Sequence, residues 1–287
     1  MTKILPDKFL LSEKFLSIQG EGVTSGVPAY FIRLSTCNLT CGSSIKYINQ
    51  IKKGEVVPDE SIAFKGDLHD QGTANWSCDT TPVWLRGEYV EFQDMIDDWK
   101  REGIYEDIKN GVIHIIWTGG EPTIKQHQES ICNFLEYWDD YDNEVFMTNL
   151  HRSVTDLPFQ EIETNGTIYI GNELFYSLAQ INCSPKLSNS GMTEKQRIVP
   201  DAIRRIMEHE NYQFKFVIST EDDIFEMFNT YIEPFNIPLK NVVCMPGLDK
   251  QEDFFERTQW CMEMAKKYKF IGLTRLHVAA WNQLTGV

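Results

Sequence analysis

The chain has 287 residues, of which 42% are hydrophobic and 24% charged, so it can bury a sizeable core and is not expected to be disordered throughout. Its formal net charge of −15 at pH 7 argues against a broad nucleic-acid surface, because phosphate binding needs a local surplus of Lys and Arg. The first residues lack the apolar segment of a signal peptide, and no apolar run approaches membrane-spanning length. We therefore expect a cytoplasmic protein that contacts neither a membrane nor nucleic acid.

The seven cysteines are interpreted as metal ligands and buried thiols, because a reducing compartment disfavours a disulfide framework. Four of them lie in apolar stretches and are expected to be core residues: Cys132, Cys183, Cys244 and Cys261. The other three are Cys37 and Cys41, in a Cys-x₃-Cys pattern, and Cys78. A closed zinc site takes four protein ligands, whereas three cysteines on a cubic iron–sulfur cluster leave one iron open.

Three interpretations of these cysteines stay open from the residues alone. They are core thiols, zinc ligands or cluster ligands. A fourth zinc ligand would have to come from His69 or a distant cysteine, and His69 lies in an acidic, polar segment where a solvated histidine is expected.

The hydrophobic pattern predicts strands and helices in alternation. Strands are predicted at 9–18, 29–34 and 112–117, near 161, and at 180–183, 214–218, 242–244 and 274–277. Amphipathic helices are predicted at 91–102, 126–137, 199–209, 222–232 and 250–267. Such alternation indicates parallel βα units, and hence an α/β fold with a full or partial barrel in one domain, 1–287. A segment at about 42–75 loses the periodicity and is interpreted as a long insertion in the cysteine loop.

Two glycine-containing segments follow predicted strands. Gln19-Gly20-Glu21-Gly22 predicts a tight loop with an approachable backbone. In Thr118-Gly119-Gly120-Glu121-Pro122, the glycines allow close approach of a ligand, and Glu121 offers a carboxylate for an ammonium group or for its own framework. Taken alone, the second segment is also consistent with a plain turn between strand and helix.

The Cys-x₃-Cys pair and the Thr-Gly-Gly-Glu-Pro segment together resemble the radical S-adenosylmethionine superfamily. Within that superfamily, further segments resemble the 7-carboxy-7-deazaguanine synthase family. They occur in order along the chain: Ser17–Gly22, Phe31–Leu34, Cys37–Cys41, Cys78–Thr80, Glu163–Thr167, Ser184–Leu187 and Arg275–His277. The resemblance implies a partial (β/α) barrel of the radical S-adenosylmethionine type.

The resemblance also implies a [4Fe–4S] cluster held by Cys37, Cys41 and Cys78. The open iron of such a cluster binds S-adenosylmethionine, and an electron from the cluster cleaves this cofactor to a 5′-deoxyadenosyl radical. The implied contacts with the cofactor are Ser77, Gly120, Ser184, Pro185 and Lys186.

The implied reaction is the radical ring contraction of 6-carboxy-5,6,7,8-tetrahydropterin to 7-carboxy-7-deazaguanine with release of ammonia, a lyase reaction in 7-deazapurine and queuosine biosynthesis. A carboxylated heterocycle needs a cation, polar groups along its edge and a metal ion. Arg33 is the implied cation, and Thr80, by itself only a turn residue, is the implied Mg²⁺ ligand. The other implied substrate contacts are Ile18, Gln19, Gly20, Glu21, Thr118, His277 and Val287. No catalytic residue is expected beyond the cluster and the cofactor.

Two features depart from the family pattern. Members commonly have two residues between the second and third cysteines, with a tryptophan directly before the third; here residues 42–77 intervene and Ser77 separates Trp76 from Cys78. Met245 precedes Pro246 where many members carry a glutamine that contacts the cofactor.

Two other functions remain possible from the sequence. One is a glycyl-radical activating enzyme, and the other is a non-catalytic, zinc-bearing interaction module that uses the insertion as its binding surface. Arg33, Thr80 and the segment Gln19–Gly22 favour a small-molecule substrate. The family further implies a homodimer and an electron donor such as flavodoxin or ferredoxin.

Overall fold

The structure, a computed structural model, describes residues 7–43, 45–55, 74, 76, 78, 80–142, 158–247 and 251–282. Within these residues one sheet contains nine strands, in the spatial order β3-β1-β2-β4-β5-β6-β7-β8-β9. The strands are β1 (Lys8–Ile18), β2 (Pro28–Leu34), β3 (Glu88–Glu91), β4 (His114–Gly119), β5 (Gln160–Thr164), β6 (Gln180–Cys183), β7 (Tyr212–Ile218), β8 (Val242–Pro246) and β9 (Ile271–Gly272). Strand β1 runs antiparallel to its neighbours β2 and β3. The other neighbouring pairs, from β2–β4 to β8–β9 in this order, are parallel. Because different strands lie at the two ends of this order, the sheet is open.

Helices connect the parallel strands. They are α1 (Ile45–Lys52), α2 (Thr81–Trp84), α3 (Phe92–Arg101), α4 (Tyr105–Lys109), α5 (Lys125–Asp142), α6 (Asn172–Ser177), α7 (Glu194–Arg197), α8 (Pro200–Met207), α9 (Glu221–Met227), α10 (Glu233–Phe235), α11 (Phe254–Tyr268) and α12 (Leu276–Trp281), and a π-helical turn, Phe228–Ile232, joins α9 to α10. None of the described helices is long and apolar enough to cross a membrane.

The two faces of the sheet differ in chemistry, because successive side chains of a strand point to opposite sides. The apolar face, which packs in the main core with the helices, carries Ile32, Trp117, Ile162, Ile181 and Phe214. The polar face carries Arg33, Thr118, Glu163, Asn182 and Lys215. The parallel strands are therefore not apolar on both sides, and their second face is available for chemistry.

Aromatic side chains form the centre of the main core. The ring of Phe134 in α5 lies 5.1 Å from that of Phe9, 5.4 Å from that of Phe92 and 5.8 Å from that of Trp99. These contacts join α3 and α5 to β1, so the antiparallel β1 is fixed to the helical layer as well as to β2.

The predicted α/β class with a partial, open barrel is confirmed, and β1 and β2 lie almost where the pattern predicted them. The strand predicted at 274–277 is wrong, because Leu276–Trp281 is helical and the last strand is Ile271–Gly272. The amide of Leu276 donates to the carbonyl of Gly20 in a loop, at 2.9 Å, and not to a strand. The insertion contains a helix, α1, whose buried Ile48 and Ile51 were missed in a polar stretch.

We expect Phe134→Ala to lower the free energy of unfolding by about 3–5 kcal/mol, because it empties a fully buried site among aromatic rings. The matched control is Phe255→Ala, since Phe255 is 83% exposed and its removal should change stability by no more than about 0.5 kcal/mol. Urea denaturation followed by tryptophan fluorescence measures both. Equal effects of the two substitutions would contradict the assignment of the core.

Candidate active site

Three cysteines meet beside a small apolar cluster that follows the carboxyl end of β2. The cluster consists of Leu39, Cys41 and Met192, with Cys37, Trp76 and Cys78 packed against it. The amide of Cys78 donates to the carbonyl of Cys41 at 3.0 Å. Both ends of the insertion therefore return to the same place, and we call Cys37, Cys41 and Cys78 the cysteine site.

The cysteine site has the chemistry of a soft-metal site. All three thiols are free. Burial raises the pKa of Cys37 far above its usual range and that of Cys41 to about 12, so these thiols stay protonated until a metal displaces the proton. Among the described residues, no three His, Cys, Asp or Glu side chains are arranged to hold a single metal ion. Three thiols with an apolar lining fit a cubic cluster with three cysteine ligands.

Thr80 lies beside the third cysteine. Its hydroxyl oxygen is 3.1 Å from the sulfur of Cys78, and its carbonyl accepts hydrogen bonds from the amides of Val83 and Trp84. The carbonyl of Trp84 in turn accepts from the amide of Thr36, just before Cys37. The short helix α2 thus connects both halves of the cysteine site, whereas a Mg²⁺ ion at Thr80 stays a prediction.

Glu121 joins the loops that follow β2, β4 and β5, the first through its backbone amide and the other two through its carboxylate. It is fully buried and accepts hydrogen bonds from the amide of Thr123 at 2.9 Å and from the hydroxyl of Thr164 and the amide of Asn165, both at 2.7 Å. Its own amide donates to the carbonyl of Thr36 at 2.9 Å. Burial raises the pKa of Glu121, and these hydrogen bonds oppose that shift. Of the two roles left open from the sequence, the structure shows the framework role.

The segment 163–167 supports the loop that bears Cys37 and Cys41. The amide group of Asn38, between those cysteines, donates to the hydroxyl of Thr167 at 2.8 Å, and that of Asn165 donates to Asn38 Oδ1 at 2.9 Å. This role was not predicted, although the segment was recognised as a motif.

The predicted cofactor contacts lie at adjacent strand ends. A Cβ on Gly120 would overlap the carbonyl of Thr36, so glycine is needed for close packing of two loops. The amide of Ser184 donates to the carbonyl of Thr164 at 2.7 Å, and Pro185 is buried. The positive charge of Lys186 lies near Cys41 and acts to lower the pKa of that thiol, against the larger effect of burial. Ser77 lies outside the described residues, and Met245, the departure in β8, is fully buried.

A charged cluster, formed by Glu21, Glu163, Lys215 and Arg275, lies on the polar face. Lys215 Nζ is 3.0 Å from Glu21 Oε2 and 3.1 Å from Glu163 Oε1, and Arg275 Nε is 2.9 Å from Glu21 Oε1. The two carboxylates balance the two cations.

Each ionised form in the charged cluster is stabilised by its partners. Burial acts to raise the pKa of Glu21 and of Glu163, but their partners together hold both below their usual range. These partners are Lys215 with Arg275 and His277 at Glu21, and Lys215 with Thr118 at Glu163. Burial acts to lower the pKa of Lys215, and the two carboxylates raise it well above its usual value. All three groups are therefore charged at neutral pH.

Predicted substrate contacts surround the charged cluster. Thr118 donates to Glu163 Oε2 at 2.9 Å, Gln19 Nε2 donates to Glu163 Oε1 at 3.4 Å, and the amide of Glu21 donates to Gln19 Oε1 at 3.2 Å. Glu163 and Lys215 were not predicted as site residues. A usable signal was present, since a charged residue inside an apolar strand, as in Phe214-Lys215-Phe216, indicates a second, polar face.

The remaining predicted contacts are only partly brought together. His277 lies in α12, with Nε2 4.0 Å from Glu21 Oε1, and its ring packs against Gly20. Ile18, half-buried, ends β1 next to this loop, and Val287 lies outside the described residues. Arg33 is adjacent to Thr118 in the strand register, but its guanidinium contacts Glu13 at 3.3 Å and the ring of Phe15 at 5.5 Å.

A second polar network, which was not predicted from the sequence, anchors the loop 19–27 to the polar face of the sheet. The fully buried Glu161 accepts hydrogen bonds from the hydroxyl of Thr24 at 2.8 Å and the amide group of Asn182 at 2.7 Å, and lies 2.7 Å from His114 Nδ1. Gln213 accepts a hydrogen bond from the amide of Val23 at 3.1 Å.

No protein-family model matches the chain. Among curated proteins, it is 26% identical to the 7-carboxy-7-deazaguanine synthase of Pyrobaculum aerophilum over 275 residues, which cover 96% of this chain and 95% of that protein. It is 24% identical to that of Halobacterium salinarum, with coverages of 95% and 90%. The chain resembles these synthases over nearly its whole length. This confirms the resemblance to the synthase family predicted from the motifs.

The crystal structure of QueE from Escherichia coli matches the chain with a TM-score of 0.54 at 19% identity, covering 94% of this chain and 95% of that one. This likeness supports the fold, a partial β/α barrel. The fold expected from the sequence motifs is confirmed in this respect.

We expect Lys215→Met to lower the free energy of unfolding by about 3–5 kcal/mol at pH 7, because it removes a buried cation and leaves two half-buried carboxylates with too little positive charge. The folded pKa of Glu21 lies below its ordinary value of 4.5, so its stabilisation is complete above that pH and is lost as the pH falls through the folded pKa. The difference between the variant and the unmodified protein should therefore shrink in acid.

The matched control is Lys267→Met, which breaks an exposed ion pair with Glu221 and should have little effect on stability. Urea denaturation at pH 7 and at pH 3 measures both variants. If Lys215→Met lowers the free energy of unfolding no more than Lys267→Met does, or if its effect grows in acid, the proposed charge state of the cluster is wrong.

Proposed function

We propose that this chain catalyses the radical ring contraction of 6-carboxy-5,6,7,8-tetrahydropterin to 7-carboxy-7-deazaguanine, with release of ammonia. One observation carries the proposal: a chain that resembles 7-carboxy-7-deazaguanine synthases along 96% of its length gathers three free cysteines and a charged cluster around the buried Lys215 at one sheet. The cysteine site follows β2, and the charged cluster lies on the polar face formed by β2 to β8. Ligands of α/β sheets bind at the carboxyl ends of such strands.

In this proposal Cys37, Cys41 and Cys78 hold a [4Fe–4S] cluster. When bound, the cluster supplies the electron that cleaves S-adenosylmethionine to a 5′-deoxyadenosyl radical. The backbone of Gly120 and the segment Ser184–Lys186 bind S-adenosylmethionine, as Ser77 also does by the resemblance. The apolar cluster around Cys41 keeps water away from the thiolates.

The charged cluster is proposed to bind the polar edge of the pterin. Glu21 and Glu163 are ionised at neutral pH, so they accept hydrogen bonds from N–H groups of the heterocycle. Lys215 maintains that charge state, and its placement between the carboxylates holds their positions before the substrate arrives. Gln19 and Thr118, both hydrogen-bonded to Glu163, orient it further.

The remaining substrate contacts are proposed with defined roles. When the substrate binds, Arg33 gives up its ion pair with Glu13 and pairs with the substrate carboxylate instead. Thr80 is a ligand of Mg²⁺, whose other ligands are water and substrate oxygens. Ile18, Gly20, His277 and Val287 border the substrate.

Several further features of the proposal come from the resemblance. An electron donor such as flavodoxin or ferredoxin reduces the cluster, the enzyme is a homodimer, and a reducing cytoplasm suits its free cysteines. The glycyl-radical activating enzyme is the less favoured candidate, because the balanced charges of the cluster suit a small polar substrate better than a protein backbone.

The direct test is anaerobic reconstitution with iron and sulfide, followed by S-adenosylmethionine, a reductant, Mg²⁺ and the carboxytetrahydropterin. We expect a brown protein that forms 5′-deoxyadenosine, and 7-carboxy-7-deazaguanine detected by mass spectrometry. A brown protein that cleaves S-adenosylmethionine and leaves this substrate unchanged would overturn the proposed reaction but not the cluster. Tightly bound, colourless zinc without cleavage would instead favour the interaction module.

We expect Cys78→Ala to abolish cleavage of S-adenosylmethionine, since it removes the third thiolate, whereas Cys132→Ala, the same change in a buried core cysteine, retains it. Full cleavage in Cys78→Ala would show that a different third ligand is used.

Thr80→Ala should reduce the Mg²⁺-dependent turnover by about tenfold or more without stopping cleavage, and Thr80→Ser should restore the turnover because the hydroxyl returns.

A further inference from the structure

We propose that Trp76 and Asn189 position Cys78, through a hydrogen-bonded triad of Trp76, Asn189 and Asp223 that fixes the returning end of the insertion to the barrel. The inference rests on the proposed function, in which Cys78 is the third cluster ligand. Trp76 and Asn189 are positioning residues, because they act on the cluster only through the placement of this cysteine.

The triad is continuous from the cysteine site to the start of α9. Trp76 Nε1 donates to Asn189 Oδ1 at 2.9 Å, and Asn189 Nδ2 donates to Asp223 Oδ1 at 2.8 Å. The indole of Trp76 also packs against the apolar cluster that contains Cys41 and Met192. Trp76 therefore contacts the cysteine site with its ring and the barrel with its N–H group.

The chemistry of its two neighbours fixes the orientation of the central amide. An indole N–H group only donates a hydrogen bond, and an ionised carboxylate only accepts. Asn189 must therefore present its oxygen to Trp76 and its nitrogen to Asp223, which is the arrangement observed. No other orientation of this amide satisfies both partners.

Asp223 is itself held rigidly. Its second carboxylate oxygen accepts hydrogen bonds from the amides of Ser219 at 2.8 Å and Thr220 at 2.9 Å, in a capping box at the start of α9. These residues directly follow β7. The triad thus attaches Trp76 to the end of β7, an inner strand of the sheet, and not only to its neighbours in the chain.

Such an anchor matters because residues 42–77 separate Cys78 from Cys41. The chain between the two cysteines is too long to fix their relative positions by itself, and closing it costs entropy, so contacts at its ends must hold Cys78 in place. The pair Cys37 and Cys41 has a separate anchor, the hydrogen bonds of Asn38 to Asn165 and Thr167.

The first end of the insertion meets the same short segment of the barrel. The amide of Gly42 donates to the carbonyl of Ser190 at 2.8 Å, next to Asn189. Residues 188–192 therefore receive both ends of the insertion, one through a backbone hydrogen bond and the other through the indole of Trp76.

The test uses the full-length apoprotein, three single variants and the double variant Trp76→Phe/Asn189→Ala. Trp76→Phe keeps an aromatic ring and removes the N–H donor, and Asn189→Ala removes the acceptor. Trp138→Phe is the matched control, since Trp138 donates from its indole to the hydroxyl of Tyr105 at the same distance, 2.9 Å, in the helical layer. The rate of alkylation of each cysteine by iodoacetamide is followed by peptide mass spectrometry.

We expect both triad variants to raise the alkylation rate of Cys78 by about 2- to 10-fold, as the loss of one neutral hydrogen bond predicts, with little change at Cys37. The double variant should be no faster than Asn189→Ala alone, because that change already removes the hydrogen bond that Trp76→Phe removes. Trp138→Phe should leave Cys78 unchanged. An unchanged rate at Cys78 in both triad variants, or an equal rise at Cys37 or in the control, would overturn the proposal.

A second readout uses the reconstituted protein. We expect iron to leave the triad variants for a chelator faster than it leaves the unmodified protein and the Trp138→Phe variant, and the electron paramagnetic resonance signal of the reduced cluster to broaden. If the unmodified protein binds no cluster, the proposed function fails, and the alkylation rates still decide whether the triad holds Cys78. Iron retention equal to that of the control would contradict the positioning role.

Discussion

The carboxylate of Glu121 is the constraint on which the arrangement of the site depends. It is fully buried, and its hydrogen bonds come from Thr123, Thr164 and Asn165, while its amide binds the carbonyl of Thr36. A buried carboxylate is costly unless its hydrogen bonds are satisfied, so the loops after β4 and β5 cannot separate without stranding it. The amide of Glu121 adds the cysteine loop after β2 to this pair through Thr36, so the three loops are connected at one residue.

The polar face shows how the fold accommodates a buried ionic site. Glu21, Glu163, Lys215 and Arg275 would each be unfavourable alone in this environment, but together they are balanced in charge and closely paired. Replacing such a group with apolar residues is often neutral or favourable for stability, so its presence points to recognition more than to folding. The aromatic core on the apolar face supplies the stability that such a site does not.

Much of the fold could be predicted because its strands carry a local signal. The apolar and aromatic residues of β2 and β4 are sufficient to identify them, and the resemblance grouped Cys78 with Cys37 across the insertion. The partners of Lys215 could not be predicted, because Glu21 approaches it from a loop far away in the sequence. The strand predicted at 274–277 is wrong for a related reason, since a segment of four residues is too short for its periodicity to separate a strand from a helix. The hydrogen bond from Leu276 to Gly20, far away in the sequence, could not be predicted either.

The hydrogen bond between the amide of Cys78 and the carbonyl of Cys41 closes the base of the insertion at 3.0 Å. A segment whose two ends meet can gain or lose residues without moving what lies below it, because the cost of closure changes only slowly with length. Variation in length at this point is therefore compatible with one unchanged geometry of the cysteines. The same property makes the segment a suitable position for inserting a reporter or an affinity module next to the cysteine site.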